Sequence, residues 1–329
     1  MEHEVVLARE RFKWAHVHQR DGMPSTRFRF SGNASDQPPR VKLFGLGSAG
    51  CKMIEGVPFP TVAFSTSSAD IARSHADRKM QIGPERLVGV ISTQHHILKH
   101  LPSIAGHEVV DVLNNTDMAF LFCGLGGLSG SLGARLFSSV AEAKGIAHIL
   151  LATTPFSAES IHRRELASKT LKELLASSTL CVEFDNDKLS SLAPNLPISR
   201  AFTLLNGIMV RPVMDLTSVM SRMDIGVLKQ ALGNSNHGRF GLGLGRGDER
   251  VERAVDEAFS SPWFDYPLPE AEVAVAVYSS SDPWDKEFDR IIALLESKMP
   301  STRMVSGSYQ DGSLKDRIRL SLLLCREKS

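Results

Sequence analysis

The sequence predicts an α/β fold with a parallel sheet, followed by a smaller α+β domain at the carboxyl end. Short apolar runs end in glycine or serine and precede helical patterns, an alternation that is typical of a parallel α/β sheet. Two of these runs lead into glycine-rich loops. Beyond about residue 210, apolar residues instead alternate with a period of two, which indicates strands with one solvated face.

The composition limits the classes of function. The chain has 329 residues, 42% hydrophobic and 23% charged, which suffices for a packed core and favours two domains. Its 38 Lys and Arg against 37 Asp and Glu give a net charge of +1. Proteins that neutralise phosphates along nucleic acid carry a positive excess, so we expect no nucleic-acid partner.

The cysteines and the apolar runs bear on location. Four cysteines lie far apart without a CxxC pair, which fits free thiols in a reducing compartment and predicts a cytoplasmic protein. No apolar run approaches the roughly 20 residues of a spanning helix, so we expect no direct membrane insertion. His95, His96 and His100 place two imidazoles at helical spacing, but no acid or cysteine accompanies them, so we expect no metal site.

Four segments follow one another along the chain. Residues 1–40 mix charges with glycine and proline without a sustained period, which predicts a flexible N-terminal extension. Residues 41–197 carry both glycine-rich loops and form the predicted parallel-sheet domain. Residues 198–214 lie between this domain and the α+β domain, which is expected over residues 215–329. The clearest strands of the first domain are predicted at 41–44, 61–64, 118–123, 146–152 and 179–183.

The elements of the α+β domain follow from two periods. Residues 248–259 carry apolar side chains at i, i+3 and i+4, the stripe of a core-facing helix. Residues 273–277 and 318–324 alternate with period two and are predicted strands. A helix over 284–295 is expected to cover their dry face.

The first glycine-rich loop follows the first predicted strand and opens a helix. Its backbone N–H groups can therefore approach an anion at a helix N-terminus. Its members are Gly45, Gly47, Ser48, Ala49 and Gly50. The run also matches the GxGxxG fingerprint of dinucleotide enzymes, but the second strand is followed by hydroxyl residues, with no acid before Asp70. An NAD(P)-binding enzyme is therefore kept as a minor alternative.

A second glycine-rich loop follows the strand at 118–123. It contains Gly126, Gly127 and Gly130, and Ser129 and Ser131 add hydroxyl donors without bulk. Two strand-end loops of one parallel sheet can converge on one polyphosphate, which favours a phosphate ligand. The run narrowly misses the GxSxG pattern and no partner base is evident, so serine-hydrolase chemistry is not favoured.

Together with the segments that follow it, the second loop resembles the glycine-rich signature of the tubulin/FtsZ superfamily. The match to the FtsZ branch continues in order over about residues 41 to 325. It comprises TPFSAE at 154–159 with Arg163, NDKL at 186–189, AF at 201–202 with Asn206, VMS at 219–221, GDER at 247–250 and SSP at 260–262.

The resemblance implies a Rossmann-like GTPase domain that binds GTP or GDP, with Mg²⁺ as a further expectation. It also implies that residues 198–214 form a central helix and the loop after it. It implies that Glu159 and Arg163 touch the sugar and base side of the nucleotide, and that Lys52 reaches a phosphate as a cation. The nucleotide-binding residues that it implies are Gly45, Gly47, Ser48, Ala49, Gly50, Lys52, Gly126, Gly127, Ser129, Gly130, Ser131, Glu159, Arg163, Asn186 and Asn206.

The resemblance also implies head-to-tail assembly into a filament in the cytoplasm of a prokaryotic cell. The partner is then a second copy of the chain or a related FtsZ-like protein, and cell division is the process of the family. The chain ends four residues after Cys325, which favours a specialised or regulatory filament over a direct role in a division ring.

Departures from the family pattern bear on catalysis. Gly207 stands where the family has an Asp that accepts from the guanine edge. The family's paired-acid loop, which completes the active site of the next subunit, is reduced to Asp215, with Pro212 at the first acid. Only 13 residues run from Ile208 to Met220, and proline disfavours a helix interior, so a shortened central helix is expected.

Asp215 is thus the candidate catalytic residue, and weak or impaired GTP hydrolysis is expected. The alternative is a catalytically inactive homologue that acts as a structural or regulatory partner of another filament protein.

Overall fold

The computed structural model describes residues 27–30, 37–83, 105–192, 194–265, 270–283 and 285–327. Most of the predicted N-terminal extension lies outside these ranges, and so do His95, His96 and His100. The architecture below concerns the described residues.

The described strands form one sheet of eleven strands in the order β1-β10-β9-β11-β8-β7-β6-β5-β2-β3-β4. Their bounds are β1 Arg27–Arg29, β2 Val41–Leu46, β3 Thr61–Ser65, β4 Arg78–Gln81, β5 Met118–Gly124, β6 Ala147–Thr154, β7 Leu180–Asp185, β8 His237–Gly245, β9 Val273–Ser280, β10 Arg303–Gln310 and β11 Ile318–Arg326.

Ten α-helices pack on this sheet in the described ranges. They are α1 Gly47–Met53, α2 Ser68–Arg73, α3 Ala105–Leu113, α4 Leu128–Ala143, α5 Ile161–Ser177, α6 Leu189–Leu192, α7 Ile198–Val219, α8 Asp224–Leu232, α9 Arg250–Phe259 and α10 Asp285–Lys298. Within the parts of the chain that the structure describes, none of the helices combines the length and apolarity that crossing a bilayer requires.

The predicted α/β fold class is confirmed. Strands β2 to β7 are parallel to their neighbours, and all five strands predicted in this part are present. The C-terminal half is mixed, since β11 runs antiparallel to both β8 and β9. The two halves join where β8 lies parallel to β7, through the pairs Cys181 with His237 and Val182 with Gly238.

The expectation that the C-terminal strands have one solvated face is wrong. All eight residues of β9 are buried. Its three valines belong to the core cluster shared with α7, whereas Ala274, Ala276 and Tyr278 pack in the cluster formed with α9 and α10. The residues that alternate with the valines, expected on a solvated face, instead pack against helices.

The central helix α7 is longer than expected. It has 22 residues and continues through Pro212 and Asp215, so the boundary predicted at residue 214 is wrong. Proline in a helix interior costs about 3 kcal/mol. Each fully buried large apolar side chain contributes about 1.5–3 kcal/mol, so the five on the buried face of this helix together outweigh that cost. The buried apolar stripe of α7 consists of Leu205, Met209, Val213, Leu216 and Val219.

Candidate functional site

The two glycine-rich loops lie side by side at the carboxyl edge of the parallel strands. The first connects β2 to α1 and the second connects β5 to α4. Strands β2 and β5 are parallel neighbours, paired from Val41 with Met118 to Leu46 with Cys123. Both loops therefore leave the sheet at the same edge, as the sequence predicted.

The loops touch at positions where only glycine fits. Gly47 has a φ of +74°, and a Cβ there would lie 2.7 Å from the backbone nitrogen of Gly130. A Cβ on Gly130 would lie 2.4 Å from the carbonyl oxygen of Gly124. Real Cβ atoms do not approach so closely, so glycine permits the two loops to interlock.

Ser131 supports the second loop from inside. Its hydroxyl oxygen accepts a hydrogen bond of 3.0 Å from the backbone nitrogen of Gly126, and its side chain is fully buried. Gly126 itself has a φ of +84°, which favours glycine. The Ser131 hydroxyl thus stabilises the turn within the protein, whereas the sequence analysis expected it to bind the nucleotide.

An open cleft of about 800 Å³ lies against the two loops. Most of the residues predicted to bind nucleotide line it, namely Gly47, Ser48, Ala49, Lys52, Gly127, Ser129, Gly130, Glu159, Arg163, Asn186 and Asn206. Four of the predicted residues do not line the cleft but belong to the two loops that border it: Gly45, Gly50, Gly126 and Ser131. A volume of this size is typical of a small-molecule site.

Glu159 and Arg163 form one wall of the cleft as a pair. The Nε of Arg163 lies 3.0 Å from one carboxylate oxygen of Glu159. The other carboxylate oxygen accepts a 2.9 Å hydrogen bond from the backbone nitrogen of Phe156. Both oxygens of Glu159 are thus engaged within the protein, and the Arg163 guanidinium is half exposed beside them.

Aromatic and amide side chains form the wall that β7 and α7 contribute. Phe156 and Phe202 pack edge to face with ring centroids 6.0 Å apart. Asn186 follows β7 and is only 8% exposed, yet its Oδ1 has no hydrogen-bond partner. Asn206 lies one helical turn after Phe202 on α7 and is half-buried. A buried acceptor without a partner at a cleft indicates a ligand that donates to it.

Family comparison agrees with this geometry. Residues 56–194 match the model of the Tubulin/FtsZ family, GTPase domain. The cell division protein FtsZ 1 of Thermococcus kodakarensis is 28% identical over 298 residues, which cover 87% of this chain and 80% of that protein. FtsZ of Methanothermobacter thermautotrophicus is 28% identical over 306 residues, covering 88% and 80%.

The chain is thus similar to FtsZ over most of its length, as a divergent relative, and its residues 56–194 match the tubulin/FtsZ GTPase domain.

Solved structures agree with the fold of this FtsZ-like chain. An FtsZ dimer of M. jannaschii superposes with a TM-score of 0.75 at 24% identity, covering 87% of this chain and 88% of that one. CetZ2 of Haloferax volcanii, solved as a protofilament with bound GTPgS, gives a TM-score of 0.68 at 18% identity, covering 87% and 92%. The first glycine loop, whose sequence also matched a dinucleotide fingerprint, thus lies in an FtsZ-like fold.

Asp215, the candidate catalytic acid, lies in the interior. It is 1% exposed, and its Oδ1 accepts a 2.7 Å hydrogen bond from the Tyr309 hydroxyl. Ser321 donates to its other oxygen, and an Arg319 nitrogen lies 3.6 Å away. A carboxylate enclosed in this way cannot reach a nucleotide on another subunit. The expected acid-bearing loop is absent because α7 continues through that position.

Sequence reasoning missed several residues that line the cleft. They are Asp70, Leu128, Thr153, Ile198, Ser199, Phe202 and Thr203. Phe202 was named only as part of a motif, not as a residue of the site. A signal was available for Phe202, because it lies four residues before Asn206 and shares a helix face with it. No local pattern marks Thr153, which reaches the cleft because β6 is the neighbour of β5.

None of the described cysteines lines the cleft. The described cysteines are free and buried. Burial raises the pKa of Cys123 to about 12, so this residue at the mouth of the second loop stays a neutral thiol. Cys51 donates to the carbonyl oxygen of Gly45 across 3.4 Å and steadies the first loop.

Proposed function

We propose that this chain binds a guanine nucleotide, GTP or GDP, with its phosphates on the two glycine loops. The observation that carries the proposal is the interlocking of these loops at the edge of the cleft, where Gly47 and Gly130 meet at a distance that excludes side chains. Such bare backbone lets N–H groups approach phosphate oxygens directly.

The start of α4 supports the same position for the phosphates. Gly127 is the N-cap, and Leu128, Ser129 and Gly130 have N–H groups that no earlier helix carbonyl can accept. The helix dipole adds partial positive charge at this end, and the Lys52 side chain lines the same cleft. In the described residues no group of three His, Cys, Asp or Glu could hold a metal ion. A Mg²⁺ ion would therefore be held mainly through the phosphates.

Hydrolysis by this chain is proposed to be weak or absent. In the FtsZ branch that the sequence resembles, a loop with two acidic residues follows the central helix and completes the active site of the next subunit. Here the continuous α7 replaces that loop and Asp215 is buried. Loss of one positioned catalytic group commonly reduces the rate about 10²- to 10⁴-fold.

Head-to-tail assembly is proposed from the position of exposed apolar side chains. Leu128 and Ile198, at the cleft, are 51% and 58% exposed. Helix α7 starts at the cleft with Ile198, and its 22 residues span about 33 Å. Met223, 71% exposed, follows the far end of this helix. Exposed apolar groups thus lie at both ends of α7, and we propose that a second copy or a related FtsZ-like chain stacks there.

The variant Gly127→Val tests the nucleotide site. An added Cβ at Gly127 has no neighbour closer than the Gly124 carbonyl oxygen at 3.9 Å, so the valine projects into open cleft without straining the protein. Gly130→Val would distort the loop itself, because its Cβ meets the same oxygen at 2.4 Å. We expect Gly127→Val to weaken binding of fluorescent GDP at least about 100-fold, since it obstructs the backbone approach.

The matched control is Gly226→Val, on an exposed helix position with no atom within 4 Å of the added Cβ. Circular dichroism and thermal melting establish that both variants fold. If folded Gly127→Val binds GDP as tightly as Gly226→Val, the phosphate position is wrong.

A further inference from the structure

Strand β10 is the last long strand at one end of the sheet. Its inner side pairs with β9 along all eight residues, from Arg303 to Gln310. On its outer side β1 pairs with residues 304–306 only, in the part of the chain that the structure describes. Residues 304–310 carry neither a charge nor a proline. The main-chain N–H and C=O groups of such an edge strand favour pairing with another chain when they are uncovered.

Residues 27–30 cover part of this edge and are termed the edge cap. The backbone nitrogen of Phe30 donates to the carbonyl oxygen of Ser306 across 2.9 Å, which continues the parallel ladder of β1. The residues of β1 itself are exposed or half-buried, and two of the three are arginines. Very short edge strands and charged side chains are means by which proteins protect a sheet edge. The edge cap has both features.

The two arginines of the edge cap are held by exposed contacts with α10. Arg27 forms an ion pair with Glu296, and 68% of the arginine side chain is exposed. The guanidinium of Arg29 lies 4.7 Å from the centre of the Phe288 ring. Exposed ion pairs and exposed cation–π contacts each add little stability. The edge cap therefore depends mainly on Phe30.

Phe30 is the buried anchor of the edge cap. It is 3% exposed and belongs to the core cluster that includes α7. Its ring lies over Gly307, where an added Cβ would meet the Phe30 ring at 3.1 Å and the Cβ of Val219 at 2.9 Å. The ring thus occupies a slot between β10 and the end of α7. Because one side chain makes most of the buried contact, one substitution is enough to open the cap.

The chain after the edge cap is fixed to the rest of the protein. The carbonyl oxygen of Gln37 accepts a 3.2 Å hydrogen bond from the backbone nitrogen of Arg222. Arg40 pairs with Asp117 across 2.6 Å. A short tether gives an intramolecular partner an effective concentration on the order of millimolar. The edge cap therefore outcompetes another chain for the β10 edge as long as its anchor is intact.

We propose that the edge cap is an autoinhibitory contact, and that the β10 edges of two copies pair across a two-fold axis when it opens. A second copy fits this edge because antiparallel pairing of β10 with itself brings uncharged residues opposite one another, without repulsion. This contact uses main-chain groups of β10, whereas the proposed head-to-tail contact uses Leu128, Ile198 and Met223. The two contacts can therefore be tested separately.

The variant Phe30→Asp opens the edge cap, because it places a charge in the apolar slot over Gly307. Sedimentation velocity without added nucleotide measures the dissociation constant of the dimer. We expect this constant to fall at least about tenfold relative to the unmodified protein, because the intramolecular competitor is lost. Ile161→Asp is the control, since it places the same charge on an exposed apolar site of α5. If folded Phe30→Asp dimerises no more than Ile161→Asp, the proposal is overturned.

A disulfide that closes the edge cap separates its opening from other effects of Phe30→Asp. Arg29 and Ser306 are register partners on adjacent strands about 4.8 Å apart, so Arg29→Cys with Ser306→Cys can form a cross-link. The native cysteines are buried. In the Phe30→Asp background, oxidation of this pair should return the protein to the monomer, and reduction should restore the dimer. A dimer that survives the closed cross-link overturns the proposal.

A charge on the edge itself tests where the copies meet. Ser308→Lys, on β10 beyond the edge cap, should abolish the dimer of Phe30→Asp, because like charges would then face each other across the two-fold axis. An unchanged dimer places the contact elsewhere and overturns the proposal. If Phe30→Asp does not fold, Arg27→Glu replaces it, since it turns the ion pair with Glu296 into a repulsion. We expect a smaller shift in the same direction, and an unchanged dissociation constant then overturns the proposal.

Discussion

Replacing Asp215 with alanine separates a structural role from a catalytic one. The carboxylate accepts from the hydroxyls of Tyr309 and Ser321 and lies near Arg319, all of them buried. Removing it leaves two hydroxyl donors and part of a guanidinium without their acceptor. Each buried polar group left unsatisfied costs about 1–3 kcal/mol.

The expected loss in the free energy of unfolding is about 3 kcal/mol. It falls at the lower end of the 3–5 kcal/mol seen when one partner of a buried ion pair is removed, because Arg319 keeps Asp311 at 2.8 Å. For 329 residues and an unfolding entropy of about 2.1 cal/mol/K per residue, this corresponds to a drop in melting temperature of about 4 °C. Burial raises the pKa of Asp215, so its charge is poorly tolerated there. Asp215→Asn, which keeps an acceptor oxygen, should therefore cost less than half as much.

Thermal melting and urea unfolding measure the loss, and phosphate release measured below the melting range tests for catalysis. Asp289→Ala is the control, because Asp289 is an exposed helical aspartate on α10 and its removal should change stability by less than about 1 kcal/mol. Phosphate release per folded molecule should be the same in both variants. If Asp215→Ala melts like Asp289→Ala but releases phosphate 100-fold more slowly than the unmodified protein, the buried structural role is wrong.

Two further predictions concern acid stability and assembly. Burial raises the pKa of Glu183, but the hydrogen bond from His237 and the charge of Arg239 outweigh it and bring the pKa down to about 2. Because the folded-state pKa lies below the unfolded one, this stabilisation, about 3 kcal/mol, is present above pH 4.5 and lost as the pH falls towards 2. Urea unfolding of Glu183→Gln should show a correspondingly smaller dependence on pH in that range, and an unchanged dependence contradicts the assignment. Met223→Asp should raise the concentration needed for sedimentable filaments at least about tenfold, because it places a charge in the proposed contact. Val110→Asp, an exposed apolar site on α3, should not, and equal effects of the two variants would place the contact elsewhere.

The sequence by itself determined the parallel sheet and the two glycine loops. Each loop is a contiguous run that follows an apolar strand, so its conformation depends mainly on neighbours along the chain and on the freedom of glycine at positions such as Gly47. The ordered motifs then placed Glu159, Arg163, Asn186 and Asn206 at one cleft, and the structure has all four lining it.

The tertiary structure alone decided the length of α7 and the environment of Asp215. Local propensity predicts that Pro212 ends the helix, but burial of the apolar stripe against both halves of the sheet outweighs that preference. Tyr309 and Ser321, the partners of Asp215, lie 94 and 106 residues further along the chain, on β10 and β11. No local pattern connects positions so far apart. Whether a carboxylate faces solvent or the core depends on which strands pack against its helix, and that is a property of the folded chain.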